Sequence, residues 1–298
     1  MKRILKAPAK INLYLRVNGK REDGYHDLSM IMQPISLFDT IEIEITSKKN
    51  TKPSEPKIVL RSNYQFIPTD DKNLVVKVVK YFFEKYNIMD HIYIYLKKMI
   101  PTCGGLGGGS SDAATMLMFL DEYYKTGLSK DELNNIAVKF GADIPFFIYK
   151  NECLCEGKGE LITELKEYNK YYVLIVTPNI RVSTKDIFDT LDKMLINNND
   201  LKFKDTKLNG CLEAIKNKNL KKLSCSIYND LEDVTFRLYD NVRVMKECVL
   251  NTGAKGALMS GSGPTIFGIF DSYFKGLRAR HEIKNKFKDA FVYLGKPI

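Results

Sequence analysis

The chain has 298 residues, 44% hydrophobic and 28% charged, with a formal net charge of +10. These are globular values, enough for one large domain or two ordinary ones, each with a real core. No apolar run approaches the length a bilayer-crossing helix needs; the longest, Tyr171 to Val176, reads as a buried strand.

At the start, Lys6, Lys10 and Arg16 interrupt any signal-like apolar stretch, so a cytoplasmic protein is expected. Lys10 to Val17 alternates cleanly and predicts a strand, with Lys10, Asn12, Tyr14 and Arg16 sharing the face opposite its apolar residues. Arg21 to Gly24 reads as a turn, and Ile41 to Ile45 as a second half-buried strand. Asn50 to Lys57 is a polar loop containing proline. Leu74 to Tyr86 predicts a helix with Leu74, Val75, Val78, Val79, Phe82 and Phe83 on its apolar face. His91 to Lys97 predicts a strand, and Ala113 to Leu120 a helix. Ser129 to Leu133 opens another helix with a capping-box pattern, and a helix end is expected at Gly141. Cys153 and Cys155 form a lone C-x-C; with six scattered cysteines, free thiols in a reducing compartment are expected. The chain turns polar near Lys166 to Lys170 and restarts at Val173, which puts a domain boundary between 165 and 166. A helix over Asp240 to Leu250 and strands over Gly256 to Ser260 and Thr265 to Phe270 follow. The Lys/Asn-rich stretches at 197–207 and 216–222 lack interleaved aromatics, so they read as solvated surface rather than a nucleic-acid patch. Their field would still steer a polyphosphate inward.

The chemistry centres on Gly104 to Asp112, glycines between a strand end and a helix start. Bare backbone N–H groups beside a helix N-terminus make a phosphate cradle, with Ser110, Ser111 and Asp112 expected to cap the helix. It is not a Walker loop, because Ser110 rather than a lysine follows Gly109. It is not a dinucleotide fingerprint, because Ser110 also stands where the third glycine belongs. Such a loop must borrow a cation or use a metal. Three histidines far apart in sequence (His26, His91 and His281) argue against a His-rich metal site. Read alone, Asp143 is a helix cap or turn carboxylate and Lys10 a solvated head on a strand.

Together, P-A-K-I-N-L from Pro8, D-G-Y-H from Asp23, the loop Gly104 to Ala114, G-A-D-I-P-F-F from Gly141 and S-G-S-G-P-T from Ser260 resemble the GHMP kinase superfamily. The resemblance runs from residue 8 to 265. The Asp-Gly-Tyr-His turn and Asn229 to Glu232 resemble the branch acting on a cytidine diphosphate alcohol. The resemblance implies an α+β, two-domain GHMP kinase fold. An N-terminal ribosomal-S5-like domain (1–165) would bind ATP, and a C-terminal ferredoxin-like domain (166–298) would complete the substrate cleft. It implies transfer of the γ-phosphoryl group of ATP, with Mg²⁺, to the 2-hydroxyl of a small-molecule cytidine diphosphate substrate. Asp143 would be the catalytic base and Lys10 its cationic partner. Gly104, Gly105, Leu106, Gly107, Gly108, Gly109, Ser110 and Ser111 would hold the ATP phosphates, with Asn73 and Lys98 at the adenosine. Asn12, Tyr25, His26, Thr184 and Phe188 would line the substrate side, Tyr25 and Phe188 sandwiching the cytosine. The metal ligands are unknown, with Ser111 and Asp112 as candidates. Cys103 stands where glycine is common, so altered packing at the loop entrance is expected. No nucleic-acid or membrane partner is implied, and the chain is expected to be a monomer or weak homodimer. A kinase of mevalonate derivatives or homoserine would leave Tyr25, His26 and Phe188 without a purpose. An RNA-binding protein using the basic surface would leave Lys10, Asp143 and the loop unexplained.

Overall fold

Alternating and helical periods set the element order. The structure, a computed structural model, describes residues 1–46, 56–165, 170–197 and 207–298. It begins β1 (Lys2–Lys20), β2 (His26–Thr46), β3 (Ile58–Ser62), α1 (Leu74–Lys85), β4 (His91–Lys97), α2 (Gly108–Tyr124), α3 (Lys130–Ala137) and α4 (Ile144–Tyr149). It continues β5 (Cys153–Gly157), β6 (Leu161–Glu164), β7 (Tyr172–Thr177), α5 (Thr184–Asn197), α6 (Lys207–Lys216), α7 (Leu220–Ser226), β8 (Tyr228–Asn229) and α8 (Leu231–Leu238). It ends α9 (Asp240–Asn251), β9 (Gly256–Met259), β10 (Ile266–Phe270), α10 (Tyr273–Lys286) and β11 (Phe291–Gly295). Two compact units result. The first comprises Met1–Ala9, Leu37–Ile100 and Gly107–Lys150, the second Lys10–Ser36, Pro101–Leu106 and Asn151–Ile298.

In the first unit β3 runs parallel to β4, with Leu60 opposite Ile94. β4 is antiparallel to the end of β2, with Ile41, Ile43 and Ile45 opposite Leu96, Ile94 and Ile92. These residues are buried while Tyr93 and Tyr95 stand exposed on the other face, the two-residue period of a strand. α1 buries Val75, Val76, Val78, Val79, Phe82 and Phe83 and packs against α2. Ser129 and Glu132 form the predicted capping box of α3. That helix stops at Ala137, short of the expected end at Gly141, and a turn follows.

In the second unit β1 pairs in parallel with β8, Tyr14 opposite Tyr228, and β2 pairs antiparallel with β5, Met30 opposite Cys155. A separate antiparallel sheet has the order β11-β7-β10-β9, and all of β10 is buried beneath α9. The alternation of β1 predicts one wet face, but Ala9 to Leu15 are buried on both. Within that buried strand Lys10 Nζ donates to Asn12 Oδ1 at 2.5 Å.

Most of the polar loop 50–57, most of 197–207, and four residues at the sequence-read domain boundary lie outside the described residues. Among the described residues, no helix is long and apolar enough to cross a membrane. All six cysteines are free thiols.

Candidate active site

The first unit supplies a helix start without a cap. α2 begins at Gly108, earlier than the apolar period suggests, so Ser110, Ser111 and Asp112 lie within its opening turns instead of capping it. The N-cap is Gly107 at φ +70°, and among the described residues the helix has no side-chain cap hydrogen bond. Glycine adopts that backbone freely, and it leaves the donors and the positive end of the helix dipole for another group. Ser111 and Asp112 are almost fully buried, and Ser111 Oγ and Asp112 Oδ1 have no hydrogen-bond partner among the described residues.

Beside this turn lies a buried charge cluster. Lys98 Nζ donates to Asp112 Oδ2 at 2.7 Å and to Asp39 Oδ2. The other Asp39 oxygen accepts the N–H groups of Met99 and Ile100, at 2.6 and 2.9 Å. Burial alone would lower the Lys98 pKa, but the two carboxylates outweigh it and hold the ammonium above the ordinary lysine value. Burial pushes Asp112 up, with Lys98 opposing. A Cβ on Gly108 would lie 3.2 Å from Lys98 Nζ and 3.0 Å from Ile100 Cγ2. Glycine thus lets the ammonium reach the helix start. Asn73 caps α1, accepting from Val75 N at 2.9 Å and donating to Pro68 O at 2.7 Å. Asp143 occupies the N-cap position of α4 without a cap hydrogen bond, and Ile144 to Ile148 behind it are buried. It is half-buried.

In the second unit a strand, a loop and a turn knit together. Lys10 is only 4% exposed, not the solvated head its strand position suggests. Its N–H donates to Leu106 O at 2.9 Å. Asn12 N donates to Ser260 Oγ at 3.3 Å, Ser260 Oγ to Gly105 O at 2.8 Å, and Asn12 Nδ2 is buried with no partner among the described residues. Gly105 sits at φ +73°, where a Cβ would fall 2.0 Å from Ser260 O. Asn229 Nδ2 donates to Met259 O and Gly261 O, both at 2.8 Å, and Asn229 Oδ1 accepts from Leu231 N. Thr184 Oγ1 lies 2.8 Å from Ser262 Oγ. Lys10, Asn12, Gly104 to Leu106 and Thr184 therefore converge on the turn Ser260–Gly263.

His26 stacks on Phe188 with ring centroids 4.5 Å apart, and its Nε2 lies 2.7 Å from Asp192 Oδ1. Lys20 holds the other Asp192 oxygen at 2.6 Å. Burial would raise Asp192, but hydrogen bonds from His26 and Lys20 win and keep its pKa low. Tyr25 is 59% exposed, with Lys158 Nζ 4.4 Å from its ring centroid. Cys103 is exposed at φ +55°, so the departure from glycine falls on backbone conformation rather than on packing. Motifs did not reveal Asp39 or Asp192. Asp192 could have been found, because it lies one helical turn beyond Phe188.

A glycine loop feeding an uncapped helix, in a mixed α and β chain, agrees with the expected GHMP kinase fold. The model of the GHMP kinases N terminal domain matches residues 73–151, and that of the GHMP kinases C terminal matches 211–289. The chain is thus an ATP-dependent small-molecule kinase with the two-domain GHMP kinase fold. It is 38% identical over 294 residues to the 4-diphosphocytidyl-2-C-methyl-D-erythritol kinase of Clostridium perfringens, covering 99% of this chain and 98% of the relative. The enzyme of the same name from Clostridium botulinum is 39% identical, with 96% and 98% covered. A crystal structure of 4-(cytidine 5'-diphospho)-2C-methyl-D-erythritol kinase superposes with a TM-score of 0.80 at 28% identity, covering 100% and 99% of the two chains. The chain belongs to the 4-diphosphocytidyl-2-C-methyl-D-erythritol kinase family.

Proposed function

We propose that this chain transfers the γ-phosphoryl group of ATP to the 2-hydroxyl of 4-(cytidine 5'-diphospho)-2-C-methyl-D-erythritol. The products are the 2-phosphate and ADP, in non-mevalonate isoprenoid precursor biosynthesis. The observation that carries the substrate is the end-to-end likeness, at 38% identity, to a kinase named for it. Residues 1–165 would supply the ATP site and 166–298 complete the substrate cleft. The reaction would run in the cytoplasm, in a monomer or weak homodimer without nucleic-acid or membrane partners.

Phosphoryl transfer has a loose transition state, so positioning and charge stabilisation dominate. The uncapped start of α2 and the bare backbone from Gly104 to Ser111 fit a triphosphate. Mg²⁺, when bound, would offset the negative charge of the phosphates. Ser111 Oγ and Asp112 Oδ1, buried and unpartnered among the described residues, are the oxygens that fit it. Lys10, steered by Asn12 Oδ1, supplies the cation that the loop itself lacks. Asp143 orients the substrate hydroxyl and takes its proton late, because a carboxylate is a far weaker base than the alkoxide that early abstraction would create. Asn12 Nδ2 offers a buried donor to the substrate. Tyr25, His26 and Phe188 receive the base, Asp192 fixing the imidazole. Asn73 and Lys98 are the candidates beside the adenosine, although both side chains are committed to neighbours within the chain.

ADP release measured with the cytidine diphosphate substrate, and with the same alcohol lacking the nucleotide, tests this reading. Turnover is expected only with the first. Equal rates on both, or turnover on mevalonate or homoserine alone, would reject it.

A further inference from the structure

We propose that Asn229 is a positioning residue for the phosphoryl transfer. It sets the turn Ser260–Gly263 so that the N–H groups of Gly261 and Ser262 form an anion subsite beside Lys10 and Asn12. The inference rests on the reading of this chain as a kinase of the cytidine diphosphate alcohol.

Ser260 to Thr265 link β9 to β10, and all six are buried. Buried backbone donors rarely go unpaired. Ser260 N donates to Thr265 O at 2.9 Å, and Gly263 N closes the turn on Ser260 O at 3.0 Å. The N–H groups of the two residues between, Gly261 and Ser262, meet no acceptor among the described residues.

Their direction follows from what holds the carbonyls. A trans peptide is planar, so its N–H points opposite to the carbonyl of the preceding residue. Asn229 Nδ2 takes the Gly261 carbonyl at 2.8 Å, which aims the Ser262 N–H away from Asn229. The Ser260 carbonyl faces into the turn, which aims the Gly261 N–H out of it. Thr235 Oγ1 holds the next carbonyl, that of Ser262, at 3.3 Å. The Asn229 amide cannot rotate freely, because its Nδ2 also binds Met259 O and its Oδ1 accepts from Leu231 N at 2.9 Å.

The neighbours of the turn ask for an anion. A Cβ on Gly261 would stand 3.5 Å from Lys10 Nζ. Asn12 is bonded to Ser260 Oγ through its backbone, and its Nδ2 is buried without a partner among the described residues. Successive backbone N–H groups beside an ammonium and a buried amide donor make an anion-binding concavity. Lys10 serves the transferring phosphoryl group in the proposed mechanism, so that group is the anion the turn receives. Donors fixed in advance act most strongly on charge that moves during the reaction.

Calorimetry with 4-(cytidine 5'-diphospho)-2-C-methyl-D-erythritol and with its 2-phosphate tests this on the full chain, because the two ligands differ only in the phosphoryl group. Asn229→Leu removes both amide donors. It should weaken the 2-phosphate about tenfold more than the hydroxyl compound. In steady state it should lower kcat about tenfold or more, with both KM values within about threefold of wild type. A structural role alone would lower the thermal midpoint and leave the ratio of the two affinities at its wild-type value. A subsite for the substrate's own diphosphate would weaken both ligands equally. Either result overturns the inference. If Asn229→Leu does not fold, Thr235→Val takes its place with a ratio shift of about threefold, and an unshifted ratio overturns the proposal. In nitrogen-labelled wild type, the amide protons of Gly261 and Ser262 should move downfield with the 2-phosphate and not with the hydroxyl compound; signals that stay in place with both also overturn it. Wild-type protein that binds neither ligand would remove the substrate reading first, and the subsite with it.

Discussion

Single residues show most sharply where sequence and structure part. Lys10 and Asn12 alternate like a wet strand face, yet both are buried, Lys10 Nζ donating to Asn12 Oδ1. Periodicity cannot reveal that pairing. Asp39 carries no motif, and β2 around it mixes polar with apolar residues, so nothing in the sequence marks it as fully buried. The proposed roles give separable outcomes in steady-state kinetics. Asp143→Asn should lower kcat by about 10²- to 10⁴-fold, the usual reach of a general base, with KM for ATP little changed. Near-full turnover would remove Asp143 from the chemistry. Lys10→Ala should fall mainly on kcat, since its charge matters most as negative charge shifts between donor and acceptor oxygens. A rise in KM with kcat intact would make it a binding residue only.

At the scale of elements, His91–Lys97 and α1 were legible because their periods are unbroken, and Ser129 announced its own helix. The start of α2 was not. The polar Ser-Ser-Asp looked like a cap, but glycine at positive φ lets the helix begin before it. The strand–loop–turn knot in the second unit was legible only as separate motifs. Gly105 shows why that knot admits little change: its Cβ would overlap the Ser260 carbonyl at 2.0 Å, at φ +73°. Gly105→Ala should therefore destabilise the chain by roughly 3 kcal/mol or more, through strain and displaced backbone together. Denaturant unfolding measures it, and a midpoint equal to wild type would mean the loop does not rest on the turn.

For the whole molecule, the family's fold was legible because its motifs span the chain, whereas the course of the units was not. The dividing line crosses β1 between Ala9 and Lys10 and β2 between Ser36 and Leu37, and neither place has a change in composition. Overall stability carries one buried liability. Glu152 is 4% exposed, neither carboxyl oxygen has a hydrogen-bond partner among the described residues, and burial pushes its pKa up to about 8. The folded state then binds that proton more tightly than the unfolded chain, so stability is highest below the ordinary glutamate range and falls as pH rises toward 8. Glu152→Gln should remove this slope. Relative to it, wild type should lose on the order of 1–3 kcal/mol between pH 5 and pH 8, read from unfolding at each pH. Parallel curves would contradict a buried neutral carboxyl.

The pairing of β1 with β8 has a consequence for the newborn polypeptide. Val17 N–H finds its acceptor on Asp230, 213 positions further along. At ribosomal speeds of about 5–20 residues per second, the first strand waits roughly 10–40 s for that partner to be made. Through that interval the edge of β1 that faces β8 stands unpaired and open to mispairing.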